Sequence, residues 1–99
     1  MFIYHIVTTE VWERFAASEH YFSPSLDTEG FIHCSYAEQV DGVIERYYGQ
    51  ENSVLILTID CSLLSSRLVS EPSTAGELYP HIYGMINKSA IVSIEVRNV

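Results

Sequence analysis

Ser53-Val-Leu-Ile-Leu-Thr-Ile59 is the stretch that decides the fold. It is almost wholly Leu or β-branched, too short for a buried helix and apolar enough for a central strand. Outward from it, Ile91 to Arg97 alternates Val92, Ile94 and Val96 against Ser93, Glu95 and Arg97, the period of a half-buried strand. Phe2 to Val7 reads as another, with Ile3, His5 and Val7 on one face and Phe2, Tyr4 and Ile6 on the other. Gly30 to Ser35, Arg67 to Glu71 and Pro80 to Gly84 are shorter strand candidates, the last two around a Pro-Ser-Thr-Ala-Gly loop.

Two helices fit between them. Thr8 or Thr9 caps one running to about Ser18, with Val11, Trp12, Phe15 and Ala16 as its apolar stripe. Ser35-Tyr-Ala-Glu38 has the spacing of a capping box and opens the second. That helix carries Tyr36, Val40, Val43, Ile44 and Tyr47 at helical period and stops near Tyr48, before Gly49. His20 to Glu29, rich in Ser, Pro, Asp and Thr, reads as a surface loop, and Ser62 to Ser66 as one helical turn. Helices early and strands late make an α+β domain with a mainly antiparallel sheet, a single unit over residues 1–99.

Composition narrows the function. Five basic against thirteen acidic residues give a formal charge of −8, and Arg14, Arg46, Arg67, Lys88 and Arg97 stand singly. Such a surface repels phosphate backbones, so a nucleic-acid partner is not expected. No apolar run approaches a membrane span and no basic segment precedes an apolar one at the start, which places the expected location in the cytoplasm, away from membranes. Cys34 and Cys61 lie in no metal or redox spacing and read as reduced, small hydrophobes.

The chemistry concentrates in two segments, Glu29-Gly-Phe-Ile-His-Cys-Ser35 and Glu77-Leu-Tyr-Pro-His-Ile-Tyr-Gly84. Each sets a histidine in a short apolar stretch, as does His5 in the first strand. An imidazole buried without partners loses its hydrogen bonds to water, so three in such positions point to a polar cleft. Phe31 and His33 share one strand face; His81 and Tyr83 share another, and Glu71 and Glu77 flank the intervening loop. Imidazoles, a phenol and a carboxylate beside aromatic rings suit a sugar-like ligand and departure of a leaving group. The plain alternatives are core histidines holding one hydrogen bond each, Ser35 as a helix cap and Glu77 as a solvated turn residue.

His5 after an aromatic strand start, the Gly-Phe-Ile-His-Cys-Ser motif, Gln39 one turn into the next helix and Tyr79-Pro-His-Ile-Tyr-Gly84 together resemble one bacterial family. It is the domain-of-unknown-function family numbered nine hundred and fifty-two, and the resemblance spans essentially the whole chain. Tyr79 stands where the family usually has Phe, and Ser70 where an aromatic commonly precedes the residue aligned with Glu71. The resemblance implies an ADP-ribosyltransferase-like fold, a split, mainly antiparallel sheet with two short helices and a cleft for NAD. It further implies a polar residue on the first strand (His5), a second at the next motif (His33 or Ser35) and a late glutamate (Glu71 or Glu77). The implied reaction cleaves a C–N glycosidic bond through an oxocarbenium-like state that a carboxylate stabilises. In that picture His5, His33, Glu71 and His81 form the catalytic set. Phe31, Ser35, Gln39, Arg67, Glu77 and Tyr83 bind ligand. His5 holds ribose hydroxyls, Tyr83 stacks on nicotinamide, and N–H groups at Ser35 to Glu38 receive pyrophosphate.

The competing reading is a nonenzymatic module that holds a nucleotide or metabolite in the same cleft. A zinc site of His5, His33 and His81 lacks any supporting motif, and no metal is expected. RNA 2′-phosphotransfer is disfavoured by the charge and by the lack of paired arginines. Oligomeric state stays open, with a monomer compatible.

Overall fold

The Leu57 stretch becomes the middle strand of a sheet. In the computed structural model, which describes residues 1–99, β4 (Ser53–Asp60) lies between β1 (Phe2–Val7) and β8 (Ile91–Asn98) and is antiparallel to both. Leu55, Leu57 and Ile59 face the main core with Ile3 and Val7, while Val54 and Ile56 face a second cluster with Ile6, Val40 and Ile44. Both faces of β4 are therefore covered, which is why its sequence shows no polar alternation.

A second sheet has β6 (Leu78–Tyr83) between β3 (Ile32–His33) and β5 (Arg67–Pro72), again antiparallel. A small ribbon pairs β2 (His20–Tyr21) with β7 (Ile86–Asn87). The two larger sheets join at one antiparallel bridge. There Tyr4 N–H donates to Ser35 O at 2.9 Å and Ser35 N–H donates to Tyr4 O at 2.7 Å. Ile32 and Ile82 come from the second sheet, Tyr21 and Ile86 from the ribbon, and all join the core cluster below β4.

The helices number three: α1 (Thr9–Glu13), α2 (Ser25–Glu29) and α3 (Val40–Tyr47). α1 keeps its Thr8 cap, which accepts from Val11 N–H, but ends well before Ser18; beyond it Phe15, Ala16 and Ser18 donate three residues back, as tight turns do. The stretch His20 to Glu29 holds β2 and α2 rather than a loop, so the expectation of two helices is corrected to three. Local polarity hid these elements, because β2 exists only through its pairing with β7. Gly30 ends α2 with φ 87° and donates to Leu26 O at 3.1 Å, a left-handed C-terminal stop that favours glycine.

The Ser35–Glu38 capping box does not form. Ser35 is committed to the bridge with Tyr4 and buried. The capping shifts one residue on, where Gln39 Oε1 accepts from Tyr36 N–H at 2.9 Å and a 3-10 turn, Ala37–Gln39, precedes α3. β6 begins two residues before Pro80, which sits buried inside a central strand. Its carbonyl accepts from Cys34 N–H at 3.0 Å, so the missing donor falls on that same side, past the end of β3. No helix is long and apolar enough to cross a membrane.

Ile56 is buried beneath α3. Ile56→Ala is expected to cost about 2–5 kcal/mol, read by urea unfolding, because the covered face cannot close over the lost atoms.

Candidate functional site

Strand alternation sorts the second sheet into an inner and an outer face. Ile32, Ile82 and Leu68 lie in register across β3, β6 and β5, and the two isoleucines are fully buried in the core. One residue on, His33, His81 and Val69 are in register on the opposite face. Phe31, Arg67, Glu71 and Tyr83 sit two residues away along their strands and share that face. The structure thus gathers Phe31, His33, Arg67, Glu71, His81 and Tyr83 in one place.

Glu71 is the hub. His81 Nδ1–H donates to Glu71 Oε1 at 2.8 Å, and the Tyr83 hydroxyl donates to the same oxygen. The Tyr83 bond first, and the His81 bond after it, hold the Glu71 carboxyl below its ordinary pKa, while the adjacent carboxylate pushes the Tyr83 phenol up. With Nδ1 committed to Glu71, His81 Nε2 is the ring nitrogen left without a hydrogen-bond partner in the protein. Phe31 stacks on His81 with ring centroids 4.1 Å apart and an interplanar angle of 22°. His33 lies edge-on to His81 at 5.3 Å, and Tyr83 tilts against Phe31 at 5.5 Å. His33 Nε2–H donates to Glu29 Oε2 at 3.0 Å, both side chains being about half exposed. The Arg67 guanidinium lies 6.0 Å from the Tyr83 ring centroid.

Both flanking glycines belong to this geometry. Gly30 turns the chain from α2 into Phe31. Gly84, at φ 149°, ends β6 where a Cβ would come within 2.6 Å of Ser66 Oγ.

The other candidates lie elsewhere. His5 is 4% exposed and faces the core between the sheets. Its Nδ1–H donates to the His33 carbonyl at 2.7 Å, and Nε2 accepts from the Tyr21 hydroxyl at 2.8 Å. Burial pushes its pKa from 6.5 down to about 4, so it is a neutral imidazole with both nitrogens occupied. Holding ribose hydroxyls is therefore not a role the structure leaves to it. Ser35 lies in the inter-sheet bridge, with its N–H spent on Tyr4. Gln39 is buried, and its Nε2 donates to Glu77 Oε2 at 2.9 Å and Leu78 O at 2.8 Å. The Gln39–Glu77 pair thus anchors the start of β6, apart from the Glu71 hub. No three His, Cys, Asp or Glu side chains converge as a metal would require.

Two contributors escaped the sequence reading. Tyr21, fully buried, supplies the hydroxyl that satisfies His5 and packs against Trp12 and Phe15. Its only local signal is the Tyr21-Phe22 pair in a polar stretch. Glu29 reaches His33 across Gly30, and their four-residue spacing was visible in the motif.

Residues 6–94 match the family described as "Protein of unknown function (DUF952)". Among solved structures, the chain is similar to protein CC0527 from Caulobacter crescentus. The X-ray structure of that protein is 26% identical with a TM-score of 0.84, covering 97% of this chain and 85% of that one. The X-ray structure of a double mutant of CC0527 gives the same figures. The solution NMR structure of CC0527 is 24% identical with a TM-score of 0.80, covering 95% and 82%, and bears on the fold alone. No curated protein matches the chain.

Two outcomes follow from the placement of the histidines. For His5, the unfolded chain takes up a proton near pH 6.5 while the folded protein resists until about pH 4. Stability therefore falls as pH drops from about 6.5 to about 4, by up to about 3 kcal/mol from this residue, and levels off below. Urea midpoints of wild type and His5→Gln across pH 5 to 7 should diverge in slope, the variant losing that part of the pH dependence. His33 is more than half exposed and paired only with an equally exposed Glu29. His33→Ala should cost less than about 1 kcal/mol in the same assay.

Proposed function

The chain belongs to the DUF952 family, and from that premise we propose that the outer face of β3, β5 and β6 binds a nucleotide-like small molecule of the NAD or ADP-ribose type. In this reading the domain is an ADP-ribosyltransferase-like enzyme that cleaves the C–N glycosidic bond of NAD as substrate. One observation carries it. Glu71 has one oxygen pinned by His81 and Tyr83, which leaves the other oxygen of an ionised, oriented carboxylate free to face a ligand. The two three-stranded sheets, split except at Tyr4 and Ser35, are compatible with such a fold.

The residues fit parts of NAD unequally. Phe31 and Tyr83 offer ring faces to a flat base, and Glu71 sits where it would meet a ribose carbon gaining positive charge. His81 Nε2 is available to accept a proton from a ribose hydroxyl or from the acceptor of the transferred group. The pyrophosphate finds less. Ser35, Tyr36 and Gln39 N–H groups are spent on Tyr4, Gln39 and Tyr36, so the expected backbone cradle is largely used up. Arg67 is the one cation at the face. Binding by base and sugar more than by phosphate follows, with affinity in the micromolar range or weaker.

That poverty of phosphate partners also favours the second reading, a module that holds such a ligand without turnover. Calorimetric titration of NAD and ADP-ribose, with nicotinamide release followed by chromatography, separates the two. The enzymatic reading expects heat with both compounds, slow nicotinamide release by wild type and loss of release in folded Glu71→Gln. Heat without release leaves the binding module. No heat from either compound at millimolar concentration, with the protein folded, removes both.

A further inference from the structure

The first sheet ends on β8, and nothing pairs with that strand's outer edge. β8 is eight residues long, without Lys or Pro, and Val92, Ile94 and Val96 are 51%, 48% and 67% exposed. A long edge strand with exposed apolar side chains is a ready template for another strand. On its other face, Glu95 and Arg97 stand two residues apart with opposite charges. Arg97 is already oriented, its Nη1–H donating to Asp41 Oδ1 at 2.8 Å and its Nε–H to Glu95 Oε2 at 3.0 Å.

These features single out one occupant: a second copy of this chain. In an antiparallel pair related by a two-fold axis, the residue at the axis faces itself and its neighbours face each other. Placing the axis at Val96, the most exposed apolar side chain of the strand, sets Glu95 opposite Arg97 of the other copy, twice over. An axis at Glu95 sets the two glutamates against each other, in a chain that already carries a charge of −8. An axis at Ile94 leaves Glu95 facing Ser93 and Arg97 facing Ile91. Charge complementarity selects the first arrangement.

We propose that the protein forms a two-fold dimer by antiparallel pairing of β8 with β8 of a second copy, centred on Val96 and held in register by reciprocal Glu95–Arg97 pairs. The pairing turns two three-stranded sheets into one continuous sheet of six. It covers the exposed valine and leaves the Glu71 face, on the other sheet, open. This proposal is independent of what that face binds.

Sedimentation equilibrium of the 99-residue chain, with folding followed by circular dichroism, tests it. Wild type should approach twice 11.2 kDa as concentration rises. E95R sets arginine against arginine and should raise the dimer dissociation constant on the order of tenfold or more, and E95R/R97E should restore it by exchanging the two charges. V96K, which places two ammonium groups on the axis, should weaken association independently of the swap. A wild type that stays at 11.2 kDa up to millimolar concentration overturns the proposal. So does a dimer indifferent to V96K, or one whose loss in E95R is not recovered by the swap.

Discussion

The fold depends on how one buried imidazole is satisfied. His5 sits buried between the two sheets, and an unpaired polar group there would cost about 1–3 kcal/mol. The structure supplies both partners from different layers. The His33 carbonyl comes from the edge of the second sheet and the Tyr21 hydroxyl from the small ribbon. One residue earlier, Tyr4 exchanges hydrogen bonds with Ser35. First sheet, second sheet and ribbon are therefore tied together within two consecutive residues of β1. Burial keeps His5 neutral at ordinary pH, so one ring nitrogen donates to the carbonyl and the other accepts from the hydroxyl.

The same tie places the candidate site. Fixing Ser35 against Tyr4 fixes β3, and the register of β3 with β6 then decides which side chains meet on the outer face. A slip of one residue would send His33 and His81 inward and Ile32 and Ile82 out to solvent. The full burial of those two isoleucines opposes such a slip. Hydrophobic packing on one face of this sheet thus holds the polar cluster on the other. That cluster owes its arrangement to Glu71, whose single oxygen collects His81 and Tyr83. Similarity to CC0527 over nearly the whole chain extends this layered arrangement to a second protein of the same fold.

Much of the site was legible because strand parity is local. His33 with Phe31, and His81 with Tyr83, fall on common faces by counting in twos, and both pairs lie together in the structure. What parity does not carry is which face meets water. His5 obeys the same alternation yet points into the core, since β1 is covered on both sides while the second sheet is covered on one. Gln39 and Glu77 were visible as motif residues, but their pairing across 38 positions belongs to tertiary structure. Ser35 looked like a helix cap because Glu38 lies three residues on; its capture by Tyr4 is a long-range event that no local spacing records.

By itself the sequence determined the α+β class, the central strand around Leu57, the alternation of β8 and the two histidine motifs, since all of these rest on periods of two or on runs of apolar residues. Tertiary structure alone decided that β2 and α2 exist within a polar stretch, that Tyr21 completes the bonding of His5, and that Glu71 rather than Glu77 joins His81. The physical reason is the same in each case. A two-residue strand, a buried hydroxyl or a carboxylate gains its partner only when segments far apart in the chain are brought within hydrogen-bond reach, and that distance is set by packing of the core.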